Sequence, residues 1–186
     1  MSDAPLTVYT VGHSTRSLDE LVGLLHDAGV RQVVDVRSVP RSRHNPQFNA
    51  EALQGDLPAR GIAYEHMPGL GGFRRARPGS PNSGLTHPGF RGYADYMGTA
   101  AFAVARERLL GLAAERPTAI MCAEASPYRC HRRLLSDSLS VAGVRVVHIV
   151  ARGRSEPHQI KPPAVVRDGS LSYPAEPDGQ LPLFGT

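Results

Sequence analysis

The stretch of sequence that decides the fold is Thr118-Ala119-Ile120-Met121-Cys122-Ala123-Glu124-Ala125-Ser126-Pro127-Tyr128-Arg129-Cys130-His131-Arg132-Arg133. Its first residues predict a short buried strand over 118–122, and its last residues lead into a helix that the apolar spacing predicts over 129–142. Thiol, carboxylate, imidazole and guanidinium groups therefore meet where a strand passes into a helix. In open α/β sheets, ligands bind outside the carboxyl ends of strands. We therefore expect a functional site here.

The same alternation of strands and helices runs through the first 150 residues. Apolar patterns predict further strands over 7–11, 32–36, 62–66 and 144–150, and helices over 18–28, 50–59 and 90–115, the last broken at Gly98. The first helix begins at a capping box, Ser17-Leu18-Asp19-Glu20. This order predicts a single α/β domain over residues 1–150, with about five mainly parallel strands and helices on both faces.

The composition changes at about Ala151. Prolines stand among polar residues, and the apolar periodicity disappears. We interpret residues 151–186 as a proline-rich tail that is partly wrapped on the domain and partly free.

The charge and composition indicate which ligands the chain could bind. It carries 21 Lys and Arg against 17 Asp and Glu, a net charge of +4, and Lys161 is the only lysine. The planar fork of arginine suits phosphate and carboxylate groups. A GC-rich genome would also give a high arginine content, but it would not explain where the arginines cluster.

The N-terminal residues Met1-Ser2-Asp3-Ala4-Pro5 lack the pattern of a signal peptide, and no apolar run approaches the length of a membrane span. We therefore expect a cytoplasmic protein with no membrane partner. In that compartment the only two cysteines, Cys122 and Cys130, should remain thiols.

Polar residues follow three of the predicted strands and should converge at one edge of the sheet. They give five candidate catalytic residues: His13, Asp35, Cys122, Glu124 and His131. Each has a plainer alternative. His13 could be a capping or core histidine, and Asp35 could form a local salt link with Arg37.

Cys122 could be a nucleophile, because a helix N-terminus and nearby arginines lower the pKa of a thiol. Glu124 argues for the neutral thiol, so a buried inert cysteine is the alternative. His131 could exchange a proton with Glu124 or a substrate. Adjacent residues of a helix point about 100° apart, so Cys130 and His131 are not expected to hold one metal ion. The sequence indicates no particular cofactor.

Several arginines near this edge could bind a phosphate or a nucleic acid. The loop over 67–88 is long and rich in glycine and proline, as functional lids and disordered segments are. A solvated mobile loop is the alternative for the three arginines within it, Arg74, Arg75 and Arg77. The candidate binding residues are Arg37, Arg41, Arg43, Arg74, Arg75, Arg129 and Arg132.

Motifs along the domain resemble the bacterial and archaeal "domain of unknown function 488" family. They run in order from about residue 7 to residue 150: Thr10-Val11-Gly12-His13-Ser14, Asp35-Val36-Arg37, Pro40-Arg41-Ser42-Arg43, Leu70-Gly71-Gly72, Cys122-Ala123-Glu124 and Cys130-His131-Arg132. The resemblance implies an α/β domain with a shared site, and it implies no reaction.

A weaker similarity is to rhodanese-like sulfurtransferases and their phosphatase relatives. Asp35, Arg37 and Cys122 would take the places of their Asp-x-Arg and strand-end cysteine. The loop after Cys122 departs from their anion-binding loop, because it has no glycine and carries Glu124 and Pro127.

Near the C-terminus, Gln180-Leu181-Pro182-Leu183-Phe184 resembles the peptide with which bacterial proteins bind the sliding clamp. The resemblance implies that Gln180, Leu181, Leu183 and Phe184 contact that partner, with the apolar side chains in a preformed pocket. The alternative is that they fold back on the domain.

Three function classes stay open. The first is an enzyme that acts on nucleic acid or nucleotides in replication or repair. The second is a sulfurtransferase or cysteine phosphatase, and the third is a module that only binds phosphate or nucleic acid. The basic charge and the clamp-like peptide favour the first class. The density of titratable groups at the sheet edge favours an enzyme.

Overall fold

The structure, a computed structural model, describes residues 5–175. Every residue of the strand Thr118–Cys122 is buried, because this strand has a neighbour on each side and helices above and below. The sheet contains β1 (Thr7–Gly12), β2 (Gln32–Asp35), β3 (Ala63–His66), β4 (Thr118–Cys122), β5 (Arg145–Ala151) and β6 (Arg154–Pro157), in the spatial order β3-β2-β4-β1-β5-β6. The first five are parallel and β6 is antiparallel to β5. The predicted α/β fold with a mainly parallel sheet is confirmed.

Helices cover both faces of the sheet, as the sequence predicts. They are α1 (Leu18–Asp27), α2 (Ala50–Ala59), α3 (Pro88–Met97), α4 (Ala100–Glu115) and α5 (Arg132–Val141). Leucines of α1 and α2 build the core on one face. Aromatic and aliphatic side chains of α3, α4 and α5 build the core on the other face.

The capping box of α1 is present. The Ser17 hydroxyl accepts from the Glu20 backbone N–H at 3.1 Å, and the Glu20 carboxylate accepts from the Ser17 backbone N–H at 2.6 Å. The side chains of Ser17 and Glu20 thus accept hydrogen bonds from two backbone N–H groups at the helix N-terminus, and this fixes the residue at which α1 begins.

The helix predicted over 129–142 begins later, at Arg132. Pro127–Arg129 form a short 3-10 turn, and Cys130 after it has an extended backbone, with φ −135° and ψ 153°. Pro127 suits the first position of a helical turn, but the turn closes after three residues. Cys130 and His131 therefore both precede α5, and their side chains are not separated by a helical step.

Part of the segment after Ala151 packs on the domain. It supplies β6 and a hairpin of β7 (Val165–Arg167) and β8 (Ser170–Ser172). Tyr173 is 1% exposed, and its hydroxyl donates to the carboxylate of Asp137 at 2.8 Å. The peptide over 180–184 lies outside the described residues. Among the helices of residues 5–175, none has the length and the hydropathy needed to cross a bilayer.

Candidate functional site

Two thiols and an imidazole meet at the carboxyl edge of the sheet. Cys122 ends β4, while Cys130 and His131 come just before α5. The Nδ1 atom of His131 lies 3.6 Å from Sγ of Cys130 and 4.0 Å from Sγ of Cys122. The three atoms all lie within 4.8 Å of one another. We call these three residues the thiol–imidazole cluster.

Hydrogen bonding sets the tautomer of His131. Its Nε2 atom is 3.0 Å from the carbonyl oxygen of Val36. A carbonyl only accepts, so Nε2 carries the hydrogen, and in the neutral ring Nδ1 presents a lone pair to the two sulfurs. The edge-on ring of Tyr93, with its centroid 5.1 Å away, and the backbone of Gly72 confine the imidazole.

A buried guanidinium lies beneath the cluster. Arg132 is 1% exposed. It donates from Nη1 to Thr10 Oγ1 at 3.2 Å and from Nη2 to the carbonyl oxygen of Glu124. These partners are neutral, so the buried charge is balanced only by the thiols and other groups at longer range.

The two thiols titrate as a pair. The pKa of Cys130 is lowered, chiefly because the Cys122 thiol donates a hydrogen bond to its sulfur, and also because His131 and Arg132 are close. The pKa of Cys122 is raised by the same hydrogen bond and by burial. The pair as a whole therefore loses its first proton more easily than an isolated thiol does, and its second proton less easily.

A cavity of about 320 Å³ opens above the cluster. Its floor is the cluster itself, and its rim carries Phe73, whose side chain is 86% exposed. The wall combines apolar groups with cations and one carboxylate: Arg37, Val39, His87, Phe90, Glu124 and Arg129. The cavity can therefore hold a ligand that has both an apolar part and an anionic part.

Asp35 and Arg37 form a buried salt bridge at the end of β2. The Asp35 carboxylate accepts from Nε of Arg37 at 2.8 Å and from Nη2 at 2.5 Å. It also accepts from the Tyr64 hydroxyl at 2.8 Å. Asp35 is 0% exposed and is not among the residues that line the cavity. It holds Arg37 in the cavity wall.

His13 lies behind Arg37. Its Nδ1–H donates to the carbonyl of Ser14 at 2.8 Å, and its Nε2 accepts from Nη1 of Arg37 at 3.1 Å. Burial, together with the charge of Arg37, lowers the pKa of His13 to about 4. His13 is therefore neutral near pH 7 and orients Arg37, which keeps one Nη1 N–H for a ligand.

The structure divides the other candidate residues into two groups. Glu124 and Arg129 line the cavity, with Arg132 beneath it. The other four lie outside the cavity lining: Arg41, Arg43, Arg74 and Arg75. Arg41 pairs with Glu51 at the surface. The Arg74 guanidinium stacks 3.7 Å from the centre of the Tyr96 ring and donates to two loop carbonyls.

A buried chain of hydrogen bonds begins at Arg132 and ends at Asp137, and the sequence did not predict it. We call it the polar chain. Its successive links are Thr10 Oγ1 to His148 Nδ1 at 2.7 Å, His148 Nε2 to His158 Nδ1 at 2.9 Å, and His158 Nε2 to Asp137 Oδ1 at 2.7 Å. Every link can be satisfied in one direction, from the guanidinium of Arg132 to the carboxylate of Asp137. The signal in the sequence is a histidine inside the apolar strand β5.

The fold and the site together define a class: single-domain α/β proteins with a thiol–imidazole cluster at the carboxyl edge of a mainly parallel sheet. A family model described as "Domain of unknown function DUF488" matches residues 17–139, which is more than half of the chain. The chain therefore belongs to this family, and the first resemblance is confirmed. No curated protein and no solved structure matches the chain.

Proposed function

We propose that the chain is an enzyme that acts on nucleotides or on single-stranded nucleic acid in the 320 Å³ cavity. The observation that carries the proposal is the position of Cys122, Cys130 and His131 on the cavity floor, below an aromatic and cationic rim. In this arrangement the cluster acts on the substrate, and the rim binds it.

The cluster favours an enzyme over a module that only binds. Two thiols and an imidazole are held within 4.8 Å of one another, with only weak sulfur hydrogen bonds between them. Burying such groups together lowers the stability of the fold, and a site that only binds a ligand does not require them. Groups with shifted pKa values inside a cavity are typical of catalytic sites.

The rim favours a nucleotide over a simple inorganic anion. The exposed ring of Phe73 and the ring of Phe90 offer apolar faces to a base, and stacking contributes about 1–3 kcal/mol per base. Arg129 and the remaining N–H of Arg37 offer donors to a phosphate. A sulfurtransferase or phosphatase that acts on a small anion would not need the aromatic wall.

The experiment has a binding part and a turnover part. Fluorescence anisotropy with a labelled mixed-sequence oligonucleotide should show weaker binding for Phe73→Ala and Arg129→Ala. The matched controls Val104→Ala and Arg145→Ala change exposed residues outside the cavity lining, and they should bind like the wild type. Equal binding by all five proteins would remove the nucleic-acid proposal.

In the turnover part, the protein is incubated with nucleoside mono- and triphosphates and with the oligonucleotide, and the products are identified by mass spectrometry. Cys122→Ser and Cys130→Ser should form no product while keeping the wild-type circular dichroism spectrum. A cysteine variant that turns over at the wild-type rate would show that the chemistry lies elsewhere.

The C-terminal peptide supports a second function, recruitment to a bacterial sliding clamp through Gln180, Leu181, Leu183 and Phe184. Ala175, the last described residue, is exposed at the surface of the domain. Leu183 and Phe184 should provide most of a micromolar affinity, which corresponds to about −8 kcal/mol.

Deletion of residues 180–186 tests this second function. The shortened protein should keep its melting temperature and should lose clamp binding in titration calorimetry. A clear drop in melting temperature, with no clamp binding by either form, would show that the peptide packs on its own domain.

A further inference from the structure

We infer that Cys122, Cys130 and His131 bind a divalent metal ion of the zinc type, with one coordination position left open to the cavity. This inference deepens the proposed function. The catalytic use of the ion rests on that function, whereas the binding of the ion does not.

The two nitrogen-to-sulfur distances within the cluster are close to those of a zinc site. Zinc binds cysteine sulfur at about 2.3 Å and histidine nitrogen at about 2.0–2.1 Å, in tetrahedral geometry. Two such ligands on one ion are therefore about 3.6 Å apart. The His131 Nδ1 atom lies 3.6 Å from the Cys130 sulfur and 4.0 Å from the Cys122 sulfur. All three ligand atoms lie within 4.8 Å of one another, so shifts of at most about 1 Å would bring them onto one ion.

The hydrogen bond from His131 to Val36 is a second, independent observation. Histidines that bind metals almost always donate their other ring N–H to a carboxylate or a carbonyl, which fixes the ring and its tautomer. The Nε2–H of His131 does this at 3.0 Å. The lone pair of Nδ1 is thereby aimed at the point that both sulfurs also face.

Without an ion, only weak hydrogen bonds that involve sulfur hold the cluster together. A thiol is a weak hydrogen-bond donor, and the two sulfurs stand 3.6 Å and 4.0 Å from the nitrogen they would bond. A metal ion would satisfy all three atoms together.

The fourth coordination position, which no protein ligand fills, would allow the ion to take part in catalysis. All three ligands line the cavity, so the remaining position of the ion faces the substrate. Three protein ligands with one open position are the arrangement of catalytic zinc, which activates a bound water. Glu124 also lines the cavity and is not one of the ligands. A zinc ion held by the cluster would supply an activated water, and Glu124 would then accept its proton and return it to the leaving group, which makes hydrolysis the reaction class.

The experiment measures the ion directly. The full chain, without a histidine tag, is loaded with zinc or cobalt, and bound metal is counted by mass spectrometry. The wild type should bind one ion per chain, and the cobalt form should show a sulfur-to-cobalt charge-transfer band with intense tetrahedral d–d bands. Cys122→Ser, Cys130→Ser and His131→Gln should each lose the ion or change these bands.

The matched control is His87→Gln, which changes a histidine of the cavity wall outside the cluster and should keep the ion and its spectrum. Circular dichroism of each variant separates loss of the ion from loss of the fold. A folded wild type with no sulfur-to-cobalt band would overturn the metal site. So would a cobalt spectrum that His131→Gln leaves unchanged.

The two proposals can fail separately. If the ion binds with the expected spectrum but no nucleotide or oligonucleotide is converted, the metal site stands and the proposed function fails. If metal-free protein in the presence of a chelator converts its substrate at the full rate, the proposed function stands. In that case the ion has no part in catalysis.

Discussion

Gly72 lies so close to His131 that a Cβ atom at residue 72 would come 2.6 Å from the Nδ1 atom of the imidazole. Real Cβ atoms essentially never approach that closely, so any side chain at this position must displace the ring or the loop. The ring is held on its other side by the carbonyl of Val36. The absence of a side chain at residue 72 is therefore a condition for the geometry of the thiol–imidazole cluster.

Gly72→Ala should weaken zinc binding about 10–100-fold, the usual cost of disturbing a group that orients a metal ligand. Competition with a coloured zinc indicator measures this loss. The control is Gly111→Ala in α4, where an added Cβ meets nothing within 4 Å. It should leave zinc binding unchanged and raise stability by about 1 kcal/mol. Equal zinc affinities for the two variants would contradict the prediction.

Asp35→Asn should destabilise the fold by about 3–5 kcal/mol, because it leaves the charge of Arg37 buried without its partner. The change is measured by urea unfolding. Glu51→Gln removes an ion pair of the same kind from the surface, where Arg41 and Glu51 are 72% and 68% exposed. It should leave the free energy of unfolding close to that of the wild type, because an exposed ion pair contributes little. A similar cost for the two variants would mean that Asp35 and Arg37 are not held as described.

Stability should fall as the pH drops from 6.5 towards 4. Burial is the main cause that lowers the pKa of both His13 and His148 from 6.5 to about 4. The unfolded chain therefore binds protons first as the pH falls, and the folded state loses stability over this range. Each histidine contributes at most about 1.4 kcal/mol per pH unit.

Urea unfolding at several pH values tests this dependence. His13→Gln should reduce the slope of stability against pH below 6.5. His26→Gln, which changes an exposed histidine, should keep the wild-type slope. If His13→Gln and the wild type have the same slope, His13 is not the buried neutral histidine described above.

Tyr173→Phe should destabilise the protein by about 1–3 kcal/mol, because the carboxylate of Asp137 loses a buried donor. Thermal and urea unfolding measure the loss. Tyr9→Phe is the control, since the Tyr9 hydroxyl makes no hydrogen bond within residues 5–175. A Tyr173→Phe variant as stable as the wild type would mean that the segment after β6 contributes little to the fold.

The strands and most helices could be predicted because their apolar spacing is local. The range of α2, residues 50–59, matches the prediction, and that of β4, residues 118–122, does too. The start of α5 could not be predicted, because the extended backbone of Cys130 depends on where the preceding 3-10 turn packs. That difference removes the helical argument against a metal ion at Cys130 and His131.

The positions of the candidate residues follow from the order of the strands, whereas the orientations of their side chains do not. Strand order places His13, Asp35 and Cys122 at one edge, as the sequence implies. The direction of each side chain depends on tertiary contacts, which turn His13 and Asp35 toward Arg37. The cavity wall at Phe73 and Phe90 lies in and beside a loop without periodicity, so no local pattern indicates it.

The polar chain joins four parts of the fold that are far apart in the sequence. Thr10 and His148 are paired in the register of β1 and β5, while Asp137 lies in α5 and His158 follows β6. Each looks like an isolated polar residue until the strands are in order. Only the three-dimensional arrangement shows that these residues satisfy one another.

The strand order also determines which segment of the chain can be transferred to another protein and still fold. The family match begins at residue 17, yet β1, which ends at Gly12, lies between β4 and β5. A fragment cut to residues 17–139 would leave the fully buried strand β4 as an open edge, and such edges pair with other copies and aggregate. A gene fusion or domain exchange that keeps this protein folded should therefore carry the chain from β1 through Tyr173.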